Sequence, residues 1–560
     1  VFSASSSARR TLSAFMAIGC ATTLCLTTVP AEALTHSAVS TAVAAPSDAG
    51  LFGAADPSTN GVVRQSLALL AYNATGQTPP AISITWLLSQ QCTDGGFQLY
   101  TASPSTCTAP DSTNYAGEDT NTTAVALQAL SALGQKAAAQ AAADWLIAHQ
   151  NTDQGFGYYP DQVANPSPSG SAASDANSTA MVLMGLNAFN TYVANLPTPG
   201  VPYTAQADAA KGFLQTLQPA TCPPETLTNE GAFEWQPGLG GFHYATVQAS
   251  FAISGHVLTD APFDVPNIVE PTFTCANPPV IDPYDPALVS AGYISRWIDL
   301  AGSDSFTGDP SDEPAWAALS LIASGVLPQS SIDTALQFAD AAAAASRNDA
   351  GDIAMDILAR HAQPGGATDS QIPVLMTRLR GTLAPVNVVA PKVTGIAKVG
   401  QIVTCDLSSW KKGPVSRAYA WYSGTTRLST AYALTLTPAL VTKSVRCTVT
   451  ATNSFGSSTA TSAPVKVLVG TLANTVLPTI DGTARAGRKL HATSGTWNPT
   501  ATSTKYVWKI GTTVVGRGST YTIQKTDKGK RLVVVVTVSR AVNGSTAYVG
   551  TATSKSRIVR

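Results

Sequence analysis

The strongest constraint on this chain is a twelve-residue pattern that occurs twice. Trp86, Leu87, Gln91, Thr93, Asp94, Gly96 and Phe97 recur 59 residues later as Trp145, Leu146, Gln150, Thr152, Asp153, Gly155 and Phe156, so both places read W-L-x-x-x-Q-x-T-D-x-G-F. A repeat of that period with helical apolar spacing means stacked helix pairs, each burying its apolar face against the next. Trp86 and Trp145 then fall at equivalent positions on outer helices, where a large aromatic locks one repeat against its neighbour.

A second signature opens the partner helices. Asp119, Asn121, Thr123 and Ala124 return 56 residues later as Asp175, Asn177, Thr179 and Ala180, giving D-x-N-x-T-A. Small, apolar runs follow these polar starts, at Thr59 to Ala71, Asp119 to Leu133, Asp175 to Phe189, Tyr244 to Gly255, Ser311 to Ala323 and Asp349 to Ala359. Such segments are apolar nearly all round, as buried helices must be. Six partner segments alternate with them: Ala81–Gln91, Ala137–Gln150, Ala205–Gln218, Pro286–Leu300, Ser331–Ala345 and Gln371–Leu379. Six pairs close a ring of inner and outer helices, an α6/α6 toroid over residues 56–382. The aspartates read as helix caps, accepting orphan N–H bonds at the positive end of the dipole. They also read as a rim around a central mouth.

The start of the chain reads as a secretory signal over residues 1–33. Arg9 and Arg10 precede an apolar run from Leu12 to Val29, and Ala31-Glu32-Ala33 is an A-x-A cleavage site. A flexible segment, 34–55, follows. No later stretch is long and apolar enough to span a bilayer. Cys20 and Cys25 leave with the signal, and the other six pair by order as Cys92–Cys107, Cys222–Cys275 and Cys405–Cys447. Proximity alone supports that choice among the fifteen connectivities six cysteines allow. None has zinc-type spacing, so neither a metal nor a cofactor is expected, and an oxidising compartment is implied.

The net charge of −1 conceals a division. Residues 386–560 carry 23 Lys/Arg against Asp406, Asp481 and Asp527, a balance of +20, and the rest of the chain is −21. Beyond a Pro/Val-rich linker at 383–391, the period changes to β alternation with Gly/Ser turns. Gly400, Trp410, Trp421 and Cys447 recur 87 residues later as Gly487, Trp497, Trp508 and Val534, which gives two modules, 392–468 and 472–560. The order Cys405, Trp421, Cys447 is that of an immunoglobulin sandwich, whose inter-sheet disulfide packs on a strand Trp. In the second copy Ala492 and Val534 replace the cysteines, so a larger apolar core must hold it.

The W-L-x-x-x-Q…G-F repeats and small inner helices resemble the prenyltransferase and squalene-cyclase repeat, the α/α toroid of terpenoid cyclases, protein prenyltransferase β-subunits, thioester domains and cobalamin carriers. The C-terminal third resembles the Ig-like repeats of secreted actinobacterial proteins, at Trp497, Tyr506-Val507-Trp508 and Asp527-Lys528-Gly529-Lys530. The signature chemistries of the toroid family are missing. No D-x-D-D supplies an acid to protonate an alkene, Asp304, Asp309, Asp312 and Glu313 having other spacing. No free cysteine remains for a prenyltransferase zinc set, and no G-C-G-E-Q forms a thioester.

Two readings of function remain. One is a secreted, non-catalytic binding protein that takes a small molecule or glycan in the toroid, through Asp119, Asn121, Thr123, Asp175, Asn177, Trp235 and Trp316. The other is a polysaccharide-active hydrolase or lyase, for which paired carboxylates are required. Asp312 and Glu313, with Glu118 and Asp119, are its candidates. A terpenoid cyclase-like enzyme stands third, for want of D-x-D-D. His243 and His256 lack metal spacing and read as structural. The loop between Cys222 and Cys275, rich in Phe233, Trp235 and Phe242, is long enough to be functional. The basic modules lack aromatic interleaving for nucleic acid, and their charge suits an anionic cell-envelope polymer.

Overall fold

The structure is a computed structural model that describes residues 48–54, 61–101, 106–161, 168–218, 231–260, 263, 268–269, 285–301, 313–327, 329–345, 349–406 and 408–560. The signal sequence, Asp304, Asp309, Asp312, Cys222 and Cys275 lie outside the described residues.

Twelve helices among the described residues form six pairs: α1 (Gly61–Ala74) with α2 (Ala81–Leu88), α3 (Thr120–Ala132) with α4 (Lys136–Ala148), and α5 (Ala176–Ala194) with α6 (Thr204–Thr216). The series continues with α7 (His243–Ile253) and α8 (Pro286–Ala301), α9 (Glu313–Ser324) and α10 (Gln329–Ala345), and α11 (Ala350–Ala362) and α12 (Ile372–Gly381). Each odd-numbered helix packs on the next, and α11 packs back on α1, so the inner ring closes. The even-numbered helices lie outside, each against its own inner partner. Inner helices bury small and polar side chains alike; Ala124 to Leu127 of α3 and Ala180 to Leu183 of α5 are almost wholly inaccessible.

The repeated motif explains how one pair meets the next. The Gln91 side-chain amide donates to Gly95 O (3.0 Å) in its own turn and to Ala138 O (2.8 Å) on α4. Gln150 does the same to Gln154 O (2.9 Å) and Gln206 O on α6 (3.4 Å), and Gln218 to Gly231 O (3.0 Å) and Pro286 O on α8 (3.1 Å). The motif glutamine therefore staples each of the first three outer helices to the start of the next. Its glycine is required by close approach. A Cβ on Gly96 would lie 2.7 Å from the Trp145 indole, and one on Gly155 would lie 2.8 Å from the Phe213 ring. Repeat-equivalent aromatics thus press flat on the preceding turn.

The two ends of the ring differ. At the end where inner helices finish, the chain leaves α7 and crosses the ring. Leu258 N donates to Gln128 Oε1 on α3 (3.5 Å), Phe263 N donates to Ala362 O at the end of α11 (3.0 Å), and Ile268–Val269 pairs in parallel with Val326–Leu327 beyond α9. Leu258 and Phe263 are buried, and His256 packs on the Phe263 ring at 4.1 Å. The described residues of this stretch thus lie across that mouth.

Two β sandwiches follow. In the first, Cys405 on Ile402–Cys405 is bonded to Cys447 on Ser444–Asn453, and Cys447 is the register partner of Trp421. In the second, Trp508 faces Val534, and Tyr521 stacks on Trp508 at 5.6 Å where the first copy has Leu434. The larger ring adds apolar bulk to a core that has no disulfide. The stretch read as a linker contains a strand of the first sandwich, Val386–Val389, paired with Ser409–Lys411. Four residues with one Pro beyond them were too short to show alternation in the sequence.

A buried lysine helps fasten the first sandwich to the toroid. Lys412, 2 % exposed, sends its ammonium to Leu51 O (2.9 Å), Gly53 O and Thr382 O. Burial, with Arg64 nearby, draws its pKa down to about 7 against the opposing pull of Asp48. Asn453 Nδ2 adds bonds to Leu383 O and Lys412 O, both 2.9 Å.

Candidate functional site

The second signature does its work at the other end of the ring, where inner helices begin. Asp119 accepts from Thr122 N (2.7 Å), and Asp175 from Ser178 N (2.8 Å) and Ser178 Oγ (2.9 Å). Both are N-caps in extended backbone. Burial raises each carboxyl to about 7 despite these bonds. Their charges in turn raise the Tyr158 phenol, with Asp119 the largest cause and burial second.

The threonine of D-x-N-x-T-A is also committed to the scaffold. Thr123 Oγ1 accepts from Phe97 N and Thr179 Oγ1 from Phe156 N, each at 2.9 Å. Thr246 repeats this with Phe233 N at 2.9 Å, with Phe242 in place of the capping aspartate. The two signatures are therefore halves of one joint. Thr123 is inaccessible and cannot meet a ligand, which corrects its assignment as a binding residue.

The other sequence candidates divide. Asn177 is buried and donates to Gln248 Oε1 on α7 (3.0 Å), tying two inner helices. Trp316 is 2 % exposed and meets Phe251 edge-on at 5.9 Å, so it belongs to the core. Glu118 is buried beside the Cys92–Cys107 disulfide, near Asp94 and Trp145. Its carboxyl is raised to about 8, by burial first and by Asp94 second, with the Trp145 indole opposing. The grouping of Cys92, Cys107 and Glu118 has metal-like proximity, but both sulfurs are spent on the disulfide and offer no thiolate. Glu313 starts α9 with its side chain buried, and its charge helps raise Tyr293. Glu118 and Asp119, though adjacent, are held by different partners and do not form a pair across a cleft. Asn121 is half-buried and Trp235 is 43 % exposed.

Trp235 belongs to a turn that lies over the ring. Glu234 and Gly241 bridge, Trp235 N donates to Gly240 O (3.4 Å), and Ala176 N at the start of α5 donates to Trp235 O (2.9 Å). Phe242 is 46 % exposed beside it. His243 follows, with Nδ1 2.7 Å from the Tyr293 hydroxyl and its ring stacked on Trp297 at 4.3 Å. Farther round, Tyr115 is exposed on a turn closed by Asp111 and Ala116, and meets Tyr159 edge-on at 6.3 Å. Ser171 Oγ donates to Ser112 O (2.8 Å) and Gln236 Nε2 lies within 3.5 Å of Gly170 O and Ala173 O. The rim is thus one hydrogen-bonded surface carrying exposed aromatic rings. Phe242 lies in the aromatic loop that the sequence marked as long enough to be functional, whereas Tyr115 was absent from the sequence candidates; its only signal was an aromatic residue inside a Gly-bounded loop.

Residues 56–223 match the family model for the squalene-hopene cyclase C-terminal domain, so the first three helix pairs are similar to cyclase repeats. Among solved structures, the type II terpene cyclase MstE from Scytonema, bound to geranylgeranyl dihydroxybenzoate, is 15 % identical over 50 % of this chain and 69 % of its own, with a TM-score of 0.28. A sugar epimerase from a ruminal bacterium is 13 % identical over 52 % of this chain and 80 % of its own, with a TM-score of 0.32. An ectodomain fragment of ICAM-5 is 14 % identical over 29 % of this chain, which spans 53 % of that fragment, with a TM-score of 0.20. No curated protein matches the sequence.

Proposed function

We propose that the toroid is a non-catalytic binding domain that takes a glycan or similar polyhydroxylated ligand at the mouth where its inner helices begin. The observation that carries this reading is the asymmetry of the ring. Leu258 and Phe263 lie across one mouth, and the other is edged by exposed Trp235, Phe242 and Tyr115. Exposed rings on a rigid rim suit the apolar faces of sugars, while polar helix starts nearby, such as Asn121, suit hydroxyls. Of the acids the hydrolase reading names within the described residues, Asp119 caps a helix, Glu118 is enclosed by Asp94, Trp145 and a disulfide, and Glu313 is buried at the start of α9.

Secretion agrees with the two disulfides formed and with the absence, among the described residues, of any helix long and apolar enough to cross a membrane. Native mass spectrometry of the full chain with a panel of oligosaccharides tests the proposal. A discrete ligand mass at one-to-one ratio, with the glycan recovered intact, is expected. Release of reducing ends or unsaturated sugars would instead establish the hydrolase or lyase reading.

A further inference from the structure

The two β modules are copies that differ in charge at one pole. In the second, Gly487 N donates to Ile523 O (2.9 Å), Ile523 N to Arg488 O (3.0 Å), Gly529 N to Val559 O (2.9 Å), Val559 N to Lys530 O (3.0 Å) and Arg560 N to Ala484 O (2.8 Å). These bonds gather the turn 484–489, the turn 523–531 and residues 555–560 into one surface. Arg488 and Lys489 of the first segment, Lys525, Lys528 and Lys530 of the second, and Arg560 of the third are all exposed there. The acid within these segments, Asp527, is turned inward and accepts from Tyr521 Oη (2.6 Å) and Gln524 N (2.9 Å).

The first module makes the same bonds: Gly400 N to Leu436 O (2.7 Å), Leu436 N to Gln401 O (2.9 Å), Thr442 N to Val467 O (3.0 Å), Val467 N to Lys443 O (2.8 Å) and Leu468 N to Ala397 O (2.7 Å). Gln401, Pro438, Val441 and Leu468 therefore stand where the second module has Arg488, Lys525, Lys528 and Arg560. That pole of the first module receives the second, with Tyr548 lying against Gly400 and Gly470. Lys530 has a counterpart in Lys443, but the fold does not need Arg488, Lys525, Lys528 or Arg560, since the same backbone forms with neutral residues in their places.

We infer that the cationic pole of the second module is a docking surface for a linear polymer of repeating phosphate groups, which are met by the guanidinium forks of Arg488 and Arg560 and the ammonium groups of Lys525 and Lys528. Cations clustered on one rigid face attract a polymer of repeating negative charge with strength that falls as salt rises. The three segments contain no Phe, Tyr or Trp, so nothing there stacks on a base, and a polymer without bases is favoured over single-stranded nucleic acid.

The test is binding of the full chain to poly(glycerol phosphate) and to polygalacturonate, at low and at high sodium chloride, with single-stranded DNA as a third arm. The triple variant K525Q/K528Q/R560Q should bind at least about tenfold more weakly than wild type at low salt, with a shallower salt dependence. K505Q/R517Q/R540Q removes the same charge from the strands of the module and should lose less than about threefold. Tighter binding to poly(glycerol phosphate) than to polygalacturonate is expected, and the reverse order would overturn the choice of a phosphate polymer. Equal losses in the two variants, or no binding of wild type to either polymer, would overturn the inference. Tighter binding to the DNA would overturn the choice of partner.

Discussion

Phe156 donates its amide to Thr179 Oγ1 at 2.9 Å, and the amide of Asp175 returns to Phe156 O at 3.0 Å. This exchange joins the turn of one helix pair to the start of the next inner helix. Phe97 with Thr123 and Phe233 with Thr246 repeat it. The W-L-x-x-x-Q-x-T-D-x-G-F and D-x-N-x-T-A patterns recur together because each satisfies the other's buried backbone.

Replacing Thr179 by Val would leave the Phe156 amide buried without a partner, at a cost of about 1–3 kcal/mol. Thr179→Ser keeps the hydroxyl and should retain most of that stability. Urea unfolding midpoints of the two variants check the difference.

The capping aspartates make the ring sensitive to pH. Folding raises Asp119 and Asp175 from 3.8 to about 7, so the native state holds protons that the unfolded chain has released. Their contribution is complete below pH 4 and is lost as pH rises through 7. Asp119→Asn keeps a cap acceptor and removes the titration, so it should lessen the fall in stability between pH 5 and pH 8. Asp119→Ala loses the cap and should cost about 1 kcal/mol at pH 5. Thermal melts across that range distinguish the two.

Lys412 should govern the junction of toroid and first sandwich. Lys412→Met leaves Leu51 O, Gly53 O and Thr382 O without their buried donor, at a cost of about 1–3 kcal/mol or more. Calorimetry should then resolve separate toroid and sandwich transitions where the wild type couples them.

Much of the ring was legible in the sequence because the helix-pair period is local. The six inner and six outer segments read there overlap α1 to α12, and the Ig-like order of Cys405, Trp421 and Cys447 corresponds to a formed disulfide and its register partner. What escaped depends on distant neighbours. Lys412 meets Leu51 across 361 positions, and nothing in Lys411-Lys412-Gly413 marks it as buried. Trp316 looked like a sugar platform because aromatic type alone does not tell which face of α9 it occupies. Thr123 and Asn177 are polar in type, yet their bonds go to Phe97 and Gln248, which only the folded ring brings near.

The disulfide of the first module has no counterpart in the second. Cys405→Ala with Cys447→Ala opens a loop of 42 positions and should destabilise that module by about 2–4 kcal/mol. The second module, held by Trp508 and Tyr521, should keep its own transition under reducing conditions. Denaturation followed separately for each module measures both effects.

Isothermal titration of the full chain with the glycan that native mass spectrometry selects tests the account most directly. The binding site is placed at the rim bearing Trp235 and Phe242, so Trp235→Ala should weaken binding about tenfold or more. Thr368→Ala, exposed near the end of α11, should leave it unchanged. Binding that survives Trp235→Ala but is lost in Thr368→Ala, or no heat with any glycan, would contradict the account.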